Sequence, residues 1–318
     1  MPSTRNPESL RYYATPGPFT DLGTHAARVR ELPEALPELC RIVQGLVVHP
    51  FLSRLYGLDP DTLHWDDLQI RSASQMLDRV LALDPGPLST SRPPAQRFVG
   101  NCRHFTVLLC ALLRARGVPA RARCGFGAYF EPTRFEDHWV GEVWDEGAGA
   151  WRLVDAQLDV VQRQLFRIAF DPLDVPRTQF LVAGDAWQRC RRGAEDPQRF
   201  GILDLRGLWF VRGNLVRDLG ARGKRELLPW DSWGLMRERN RQHDAEELAL
   251  LDRVAELTQA GDERHAEVLQ LYAAEPALRV PRVITSLAAA PRVHTAGDAL
   301  VVAPVGEAEV DLGPGVAN

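Results

Sequence analysis

Hydrophobic positions in the first quarter of the chain predict an extended start followed by two helices. Residues 1–35 contain frequent prolines and glycines and are expected to be extended with short turns. From 34 to 58, apolar side chains recur every three or four positions, which is typical of a helix with one buried face. A second helix is predicted from about His64 to Leu83, because an Asp-Pro-Gly-Pro sequence follows and ends it.

The strongest helical pattern follows Asn101. Residues 107–113 are apolar without interruption, so we expect a helix that is buried on most sides. Gly117 and the proline two residues later end it. Asn101 is a favourable N-cap, and this places Cys102 in the first turn of the helix.

After this helix, the period of the hydrophobic pattern changes to that of β-strands. Strands are predicted at Ala120–Phe130, His138–Trp144 and Trp151–Asp155, and a loop with two glycines joins the last two into a hairpin. The order of a buried helix followed by strands predicts an α+β fold, in which the helix packs on an antiparallel sheet.

The patterns after residue 160 are weaker. They predict a helix at 178–192, a helical stretch near Leu215, an aromatic loop at 227–234, a helical pattern at 244–274 interrupted by Gly261, and an irregular tail rich in proline at 276–318.

Composition narrows the class of protein. The formal net charge is −4, so a basic surface for nucleic acid is not expected. No apolar run reaches the ~20 residues that span a bilayer, and no charged start followed by an apolar run indicates a signal peptide. Five widely spaced cysteines do not suggest a disulfide framework. We therefore expect a soluble, reduced, cytoplasmic protein with no membrane or nucleic-acid partner and with an undetermined oligomeric state.

Cys102 is a candidate nucleophile because of its position in the helix. Unpaired backbone N–H groups and the positive end of the helix dipole favour a thiolate over a thiol. The same N–H groups can stabilise a developing oxyanion.

His138 and Asp155 are candidate partners for this thiol. If Trp144 lies opposite Trp151 in the hairpin, His138 and Asp155 are diagonal neighbours on one face of the sheet. Diagonal backbone positions are ~7–8 Å apart, within reach of these two side chains. A histidine oriented by a carboxylate is the proton carrier that a cysteine nucleophile needs.

The segment Gly100–Phe105, together with Leu112–Arg121, resembles the nucleophile helix of the transglutaminase-like superfamily. A His-aromatic pair at His138 and an aspartate four residues after Trp151 are similar to the superfamily as well. The resemblance covers about residues 65–160 and implies a papain-like Cys-His-Asp fold in a bacterial transglutaminase-like protein.

The resemblance implies acyl transfer without a cofactor. Cys102 attacks an amide, ester or thioester carbonyl, His138 carries the proton, and Asp155 orients the imidazole. Water or an amine resolves the thioacyl-enzyme, and the expected partner is a small-molecule or peptide amide, with an amine as one candidate acceptor. Gln96 resembles, by its spacing, the glutamine oxyanion donor of papain-like proteases.

Four further residues are candidates for the substrate pocket: Trp139, Arg121, Trp230 and Trp233. Packing or a structural salt bridge is the alternative for each. The whole pattern predicts four segments: an N-terminal loop and helical extension at 1–60, a catalytic core at 61–185, a mainly helical extension at 186–275 and the tail at 276–318.

Two other classes of function stay open. The fold can serve as a non-catalytic scaffold for interaction with other proteins. A zinc protein is less favoured, because Cys102 and His104 are two residues apart on a helix and face away from each other. The chain also has no Cys-x-x-Cys pair, and we therefore predict no metal site.

Overall fold

The structure is a computed structural model. It describes residues 6–236, 239, 242–296, 299–302 and 305–316, with the backbone alone at 293–296 and 299–302.

Ten helices lie in the described residues. They are α1 (Pro7–Tyr13), α2 (Ala26–Arg30), α3 (Leu36–Leu46), α4 (Ala73–Leu83), α5 (Cys102–Arg114), α6 (Val160–Leu165), α7 (Ala183–Arg191), α8 (Leu208–Arg222), α9 (Ala245–Gln259) and α10 (His265–Ala274).

Twelve strands lie in the same ranges. They are β1 (Val47–Val48), β2 (Phe98–Val99), β3 (Ala120–Gly127), β4 (Phe135–Asp145), β5 (Ala150–Val154), β6 (Phe180–Val182), β7 (Phe200–Ile202), β8 (Leu205–Arg206), β9 (Val283–Leu287), β10 (Val293–Ala296), β11 (Ala299–Val302) and β12 (Glu307–Asp311).

The two helices predicted at 34–58 and 64–83 are shorter in the structure than the apolar pattern suggests. The predicted helix at 34–58 ends at Leu46, because the chain becomes extended in β1 and pairs in parallel with β2. Pro50 then begins a separate 3-10 turn. The predicted helix from His64 divides in the same way, since Ser72 caps α4 and the residues before it form another 3-10 turn.

Helix α5 confirms the strongest prediction. It spans Cys102–Arg114, and all of its residues are buried. It packs against α3 and α4 on one side and against β3 and β4 on the other. Gly117 follows the helix with a φ of +72°, a backbone conformation that glycine adopts without strain.

The main sheet has the order β6-β3-β4-β7-β8, and β5 pairs with a different part of β4. The hairpin register is the predicted one, with Trp144 opposite Trp151. Both β5 and β7 lie on the side of β4 that β3 does not occupy. Pairing with β5 stops at Gly141, and pairing with β7 involves only Phe135 and Glu136.

Among the described strands, residues 137–140 of β4 therefore have no neighbour on that side. Helix α5 takes this place. The Thr106 hydroxyl donates a hydrogen bond to the Trp139 carbonyl oxygen at 3.0 Å, so the start of the helix lies beside the strand. This arrangement brings the first turn of α5 close to His138.

The C-terminal half differs from the sequence predictions in detail. The region 178–192 contains β6 before α7, and β7 and β8 precede α8 near Leu215. The pattern at 244–274 forms two helices, α9 and α10, with the break at Gly261 as expected. A second hydrophobic core lies among α7, α8, α9 and α10.

The region 276–318 is not wholly irregular as predicted. Strands β9 and β12 pair antiparallel, and so do β10 and β11. The prolines Pro281 and Pro291 lie on either side of β9 and do not interrupt it. The four-segment division stays a prediction, although β7 and β8 of the predicted C-terminal extension belong to the main sheet.

Candidate active site

The first turn of α5 is fixed by a capping box. The Asn101 side chain accepts a hydrogen bond from the Arg103 N–H at 3.1 Å, and the Asn101 N–H donates to His104 Nδ1 at 3.1 Å. His104 Nε2 lies 3.0 Å from the Ile70 carbonyl oxygen, so this ring is held at both nitrogens. Burial and the charge of Arg103 lower the pKa of His104 well below its ordinary value. Cys102 is thus the first residue of a rigidly capped helix.

His138 and Asp155 meet across the hairpin as the register requires. His138 Nε2 lies 2.8 Å from Asp155 Oδ2, and both side chains are buried. Asp155 comes directly after the last residue of β5, and its N–H donates to the Pro172 carbonyl oxygen instead of pairing with β4. The carboxylate is therefore placed at the end of the strand and is free to face the histidine.

Two further donors hold the Asp155 carboxylate. The Tyr129 hydroxyl donates to Oδ2 at 2.6 Å, and the Gln157 N–H donates to Oδ1 at 3.0 Å. The sequence analysis missed Tyr129, because an aromatic residue at the end of a strand is usually a core residue. Its hydroxyl shares one carboxylate oxygen with His138, so it helps to set the direction of Asp155.

Cys102 acts on the pKa of His138 and lines the same cavity. Since Nε2 faces Asp155, Nδ1 is the ring nitrogen that remains for the thiol. Burial disfavours a charged imidazole, but the charge of Asp155, its hydrogen bond and the hydrogen bond with Cys102 raise the pKa of His138 to about 10. His138 therefore carries a proton at neutral pH.

Aromatic rings surround the imidazole. Phe130, Tyr129 and Phe180 approach His138 edge to face, with ring centroids at 4.8, 5.9 and 6.4 Å. These rings exclude water from the ion pair with Asp155. A lower local dielectric strengthens that ion pair.

Cys102 and His138 both line a cavity of about 300 Å³. Of the four pocket candidates, Trp230 lines it as well. Leu52, Leu203 and Leu287, which are distant in sequence, complete part of the wall. Sequence patterns did not identify them, because nothing local to a leucine shows which cavity it faces.

The other predicted pocket residues lie elsewhere. Trp139 is buried in the core between the sheet and α5, because alternation along β4 turns it away from His138. Trp233 is buried in the C-terminal core, where its indole N–H donates to the Leu278 carbonyl oxygen at 2.9 Å. Arg121 lines a separate cavity of about 770 Å³ and is paired with Glu142.

Gln96 also differs from its predicted position. It is exposed at the end of a short 3-10 turn that precedes β2, outside the described lining of the cavity. A spacing of six residues before the cysteine therefore does not place this amide near the thiol.

Two kinds of feature are absent from the described ranges. No group of three or more histidine, cysteine, aspartate or glutamate side chains is arranged there to hold a metal ion. In the same ranges, every helix is too short or too polar to cross a bilayer.

Comparisons with known proteins concern one part of the chain. No curated protein matches the chain. A crystal structure of a candidate cysteine protease from Cytophaga hutchinsonii is 17% identical with a TM-score of 0.33, and the match covers 57% of this chain and 50% of that one. The chain thus spans about half the length of that protein. Residues 82–156 match the model of the transglutaminase-like superfamily. This segment, which contains Cys102, His138 and Asp155, is therefore similar to the transglutaminase-like superfamily.

Proposed function

We propose that this protein is a cysteine acyl-transfer enzyme that forms a thioacyl-enzyme at Cys102. One observation carries the proposal: the thiol of Cys102 and the imidazole of His138 line the same cavity, and Asp155 holds that imidazole from behind. The three groups come from a helix start and two strand positions, so the fold itself keeps them together.

The first half of the reaction forms a thioester. His138 holds the thiol proton while the Cys102 sulfur attacks the carbonyl carbon of an amide, ester or thioester. The tetrahedral intermediate places negative charge on the carbonyl oxygen beside the Cys102 backbone N–H. When the bond to the leaving group breaks, His138 gives its proton to that group.

The second half releases the acyl group. Water or an amine attacks the thioester carbonyl, and His138 accepts the proton of that nucleophile. The Cys102 sulfur leaves, and the thiolate–imidazolium pair is restored. Asp155 keeps the imidazole in one orientation through both halves.

Reactivity of the cysteines tests the nucleophile without knowledge of the substrate. Iodoacetamide at pH 6 is expected to label Cys102 at least tenfold faster than the other four cysteines, because those are core or neutral thiols. Burial raises the pKa of Cys110, in the same helix, to about 12. The matched variants are Cys102→Ala, which removes the fast phase, and Cys110→Ala, which retains it.

Intact mass spectrometry with p-nitrophenyl esters then tests the acyl-enzyme. We expect one acyl adduct that is absent in Cys102→Ala and is discharged by water or by an added amine. The scaffold alternative requires equal, slow labelling of all five cysteines and no adduct, and that result would overturn the proposal.

A further inference from the structure

The chemistry of the cavity beside Cys102 defines a class of acyl group. We propose that the enzyme takes acyl donors whose acyl group is apolar and uncharged, and this rests on the proposed function. Most of the lining is aromatic or aliphatic, including Phe51, Leu68, Phe130, Phe166, Trp230 and Leu287. A volume of about 300 Å³ is roughly twice that of a cavity that holds benzene, which suits an acyl group of roughly six to ten carbon atoms.

The charges of the lining exclude an anionic acyl group. Among the described lining residues none is arginine or lysine. The two acidic residues already have partners, since Glu136 pairs with Arg206 and Asp137 accepts a hydrogen bond from Asn214 at 2.7 Å. The charged His138 in the lining is already paired with Asp155 at 2.8 Å. A carboxylate on the acyl chain would therefore lose its hydration without gaining an unpaired cation.

Segments outside the superfamily match build most of these walls. The N-terminal segment at 49–52, the β7–β8 turn, the aromatic loop and the end of β9 all contribute to the lining. The reacting groups thus come from the matched segment, and the selectivity for the acyl group comes mainly from the segments before and after it.

A series of p-nitrophenyl esters tests this selectivity. The hexanoyl ester is expected to acylate Cys102 at least tenfold faster than the acetyl ester, because each buried methylene contributes to binding. The adipoyl monoester has the same six-carbon chain with a terminal carboxylate and is expected to react at least tenfold more slowly than hexanoyl. Equal rates for the three esters would contradict the acyl-group proposal and leave the nucleophile in place, whereas no adduct with any ester would contradict the proposed function.

Two lysine variants on β9 test whether the acyl group lies in the cavity beside Cys102. Leu287→Lys places a cation in the cavity and is expected to raise the adipoyl-to-hexanoyl rate ratio at least tenfold. Val283→Lys lies on the same strand, but Val283 is 45% exposed and lies outside the described lining, so its ratio should match the wild type. An unchanged ratio in a folded Leu287→Lys protein would show that this cavity does not hold the acyl group.

A separate observation concerns His49, which the sequence analysis left unassigned. Strand β1 pairs with β2 in the register Val48↔Val99, and the Gly100 N–H donates to the Val48 carbonyl oxygen at 3.0 Å. His49 therefore lies beside the segment that leads into Cys102, and both line the cavity.

The ring of His49 is set up as a hydrogen-bond donor. Its Nδ1 accepts the Phe51 N–H at 3.3 Å, so Nε2 carries the proton of the neutral ring. No described residue accepts a hydrogen bond from Nε2. Burial and the positive charge of His138 lower the pKa of His49 to about 3, which keeps the ring neutral.

We infer that His49 donates its Nε2–H to the carbonyl oxygen of the tetrahedral intermediate, together with the Cys102 backbone N–H. Gln96, the donor predicted by spacing, is exposed, and His49, the residue directly after β1, takes this role. A neutral donor in a dry site stabilises the developing charge without adding a proton that competes with His138.

His49→Phe and His49→Gln test this role. Phenylalanine retains a ring against Phe51, whose centroid lies 5.3 Å away, but it has no N–H. Acylation is expected to fall ~10²–10³-fold in His49→Phe and to recover in part in His49→Gln, which has an N–H donor. Alkylation by iodoacetamide forms no oxyanion, so its rate should stay within about threefold of the wild type. Equal losses in acylation and alkylation would mean that His49 only supports the fold, and unchanged acylation would exclude it as a donor.

Discussion

Strand β4 carries two buried polar clusters on the same face, and they do different things. His138 and Glu142 are four residues apart, so alternation along the strand directs both to one side. Around His138 the neighbours are one carboxylate, one thiol and a set of aromatic rings. Around Glu142 they are arginines that complete an ion-pair network.

Both carboxylate oxygens of Glu142 have arginine partners. Its Oε2 accepts from Arg121 at 2.6 Å and from Arg123 at 3.0 Å, while Arg177 pairs with Oε1 at 2.5 Å. Arg123 also pairs with Asp218 of α8 at 2.8 Å. Burial opposes the charge of Glu142, yet the arginines hold its pKa well below the ordinary value.

The comparison shows that pairing, rather than burial or residue type, distinguishes the ion-pair cluster at Glu142 from the proposed catalytic cluster at His138. Both carboxylate oxygens of Glu142 are paired with arginines, so neither is left to bind a substrate. The same ion-pair network connects β3, β4 and α8. His138 has one nitrogen committed to Asp155 and the other directed to a thiol on a cavity wall. The following variants test this difference.

Asp155→Asn is expected to give the largest effect. The amide keeps the shape of the side chain but loses the charge that holds the imidazolium, and turnover should fall ~10⁴-fold while the protein folds. Steady-state kinetics with the hexanoyl ester, alongside thermal unfolding, measures both. Activity within tenfold of the wild type would show that the carboxylate does not orient His138.

Glu142→Gln should show the opposite pattern. Removing this charge leaves three arginines short of a partner, and the free energy of unfolding is expected to fall by about 3 kcal/mol. The turnover of the folded protein should stay within about threefold, because Glu142 contacts neither Cys102 nor His138. A loss of turnover comparable with that of Asp155→Asn would mean that the two clusters are not separate.

The pH dependence should follow His138. Its pKa is raised to about 10, above the ordinary value of about 6.5. The stability from its charged form is therefore fully present below pH ~6.5 and is lost as the pH rises through about 10. Acylation by an anilide donor such as hexanoyl p-nitroanilide should fall about tenfold per pH unit above that value, because the proton for the amine leaving group is gone. In Asp155→Asn the fall should move to lower pH, and an unchanged profile would contradict the assignment.

Tyr129→Phe should have a smaller effect. The variant removes one of three donors to Asp155 and leaves the ring in place, so we expect a turnover loss of about tenfold. The matched control is Tyr56→Phe, which removes a hydroxyl that donates to Asp159 at 2.8 Å and lies outside the described cavity lining. Equal losses in the two variants would indicate a general packing effect.

Gln96→Ala should have the smallest effect, with turnover within about twofold of the wild type. The side chain is exposed and lies outside the described cavity lining. A loss of a hundredfold or more would restore Gln96 as the oxyanion donor and argue against His49.

The sequence predicted the reactive cluster better than the cavity around it, for a physical reason. Helix α5 and the Trp144–Trp151 register follow from local patterns, because helix caps and hairpin pairing act over a few residues. The register brings His138 to Asp155, and the packing of α5 beside residues 137–140 of β4 brings Cys102 to the same place. The fold class of a buried helix on an antiparallel-rich sheet follows from the same segments.

The walls of the cavity depend on contacts between distant parts of the chain. His49 reaches the site through the parallel pairing of β1 with β2, and two-residue strands give no recognisable pattern in a sequence. Arg121 is of a residue type that often binds ligands, and only the structure shows that its guanidinium lies 2.9 Å from the Asp262 carboxylate. Strand β9 was missed because prolines nearby suggested irregular chain.

The short pairing between β4 and β5 has a consequence for how such a site can change. One more ladder pair, Val140 with Asp155, would pull the carboxylate into the sheet and push the first turn of α5 away from the strand. Strand β5 ends where the Asp155 N–H bonds to Pro172 instead of to β4. The length of β5 thus sets the spacing between the Cys102 sulfur and the His138 imidazole. Insertions in the hairpin loop at 146–149 leave that spacing unchanged, whereas a single residue added at the other end of β5 would change it.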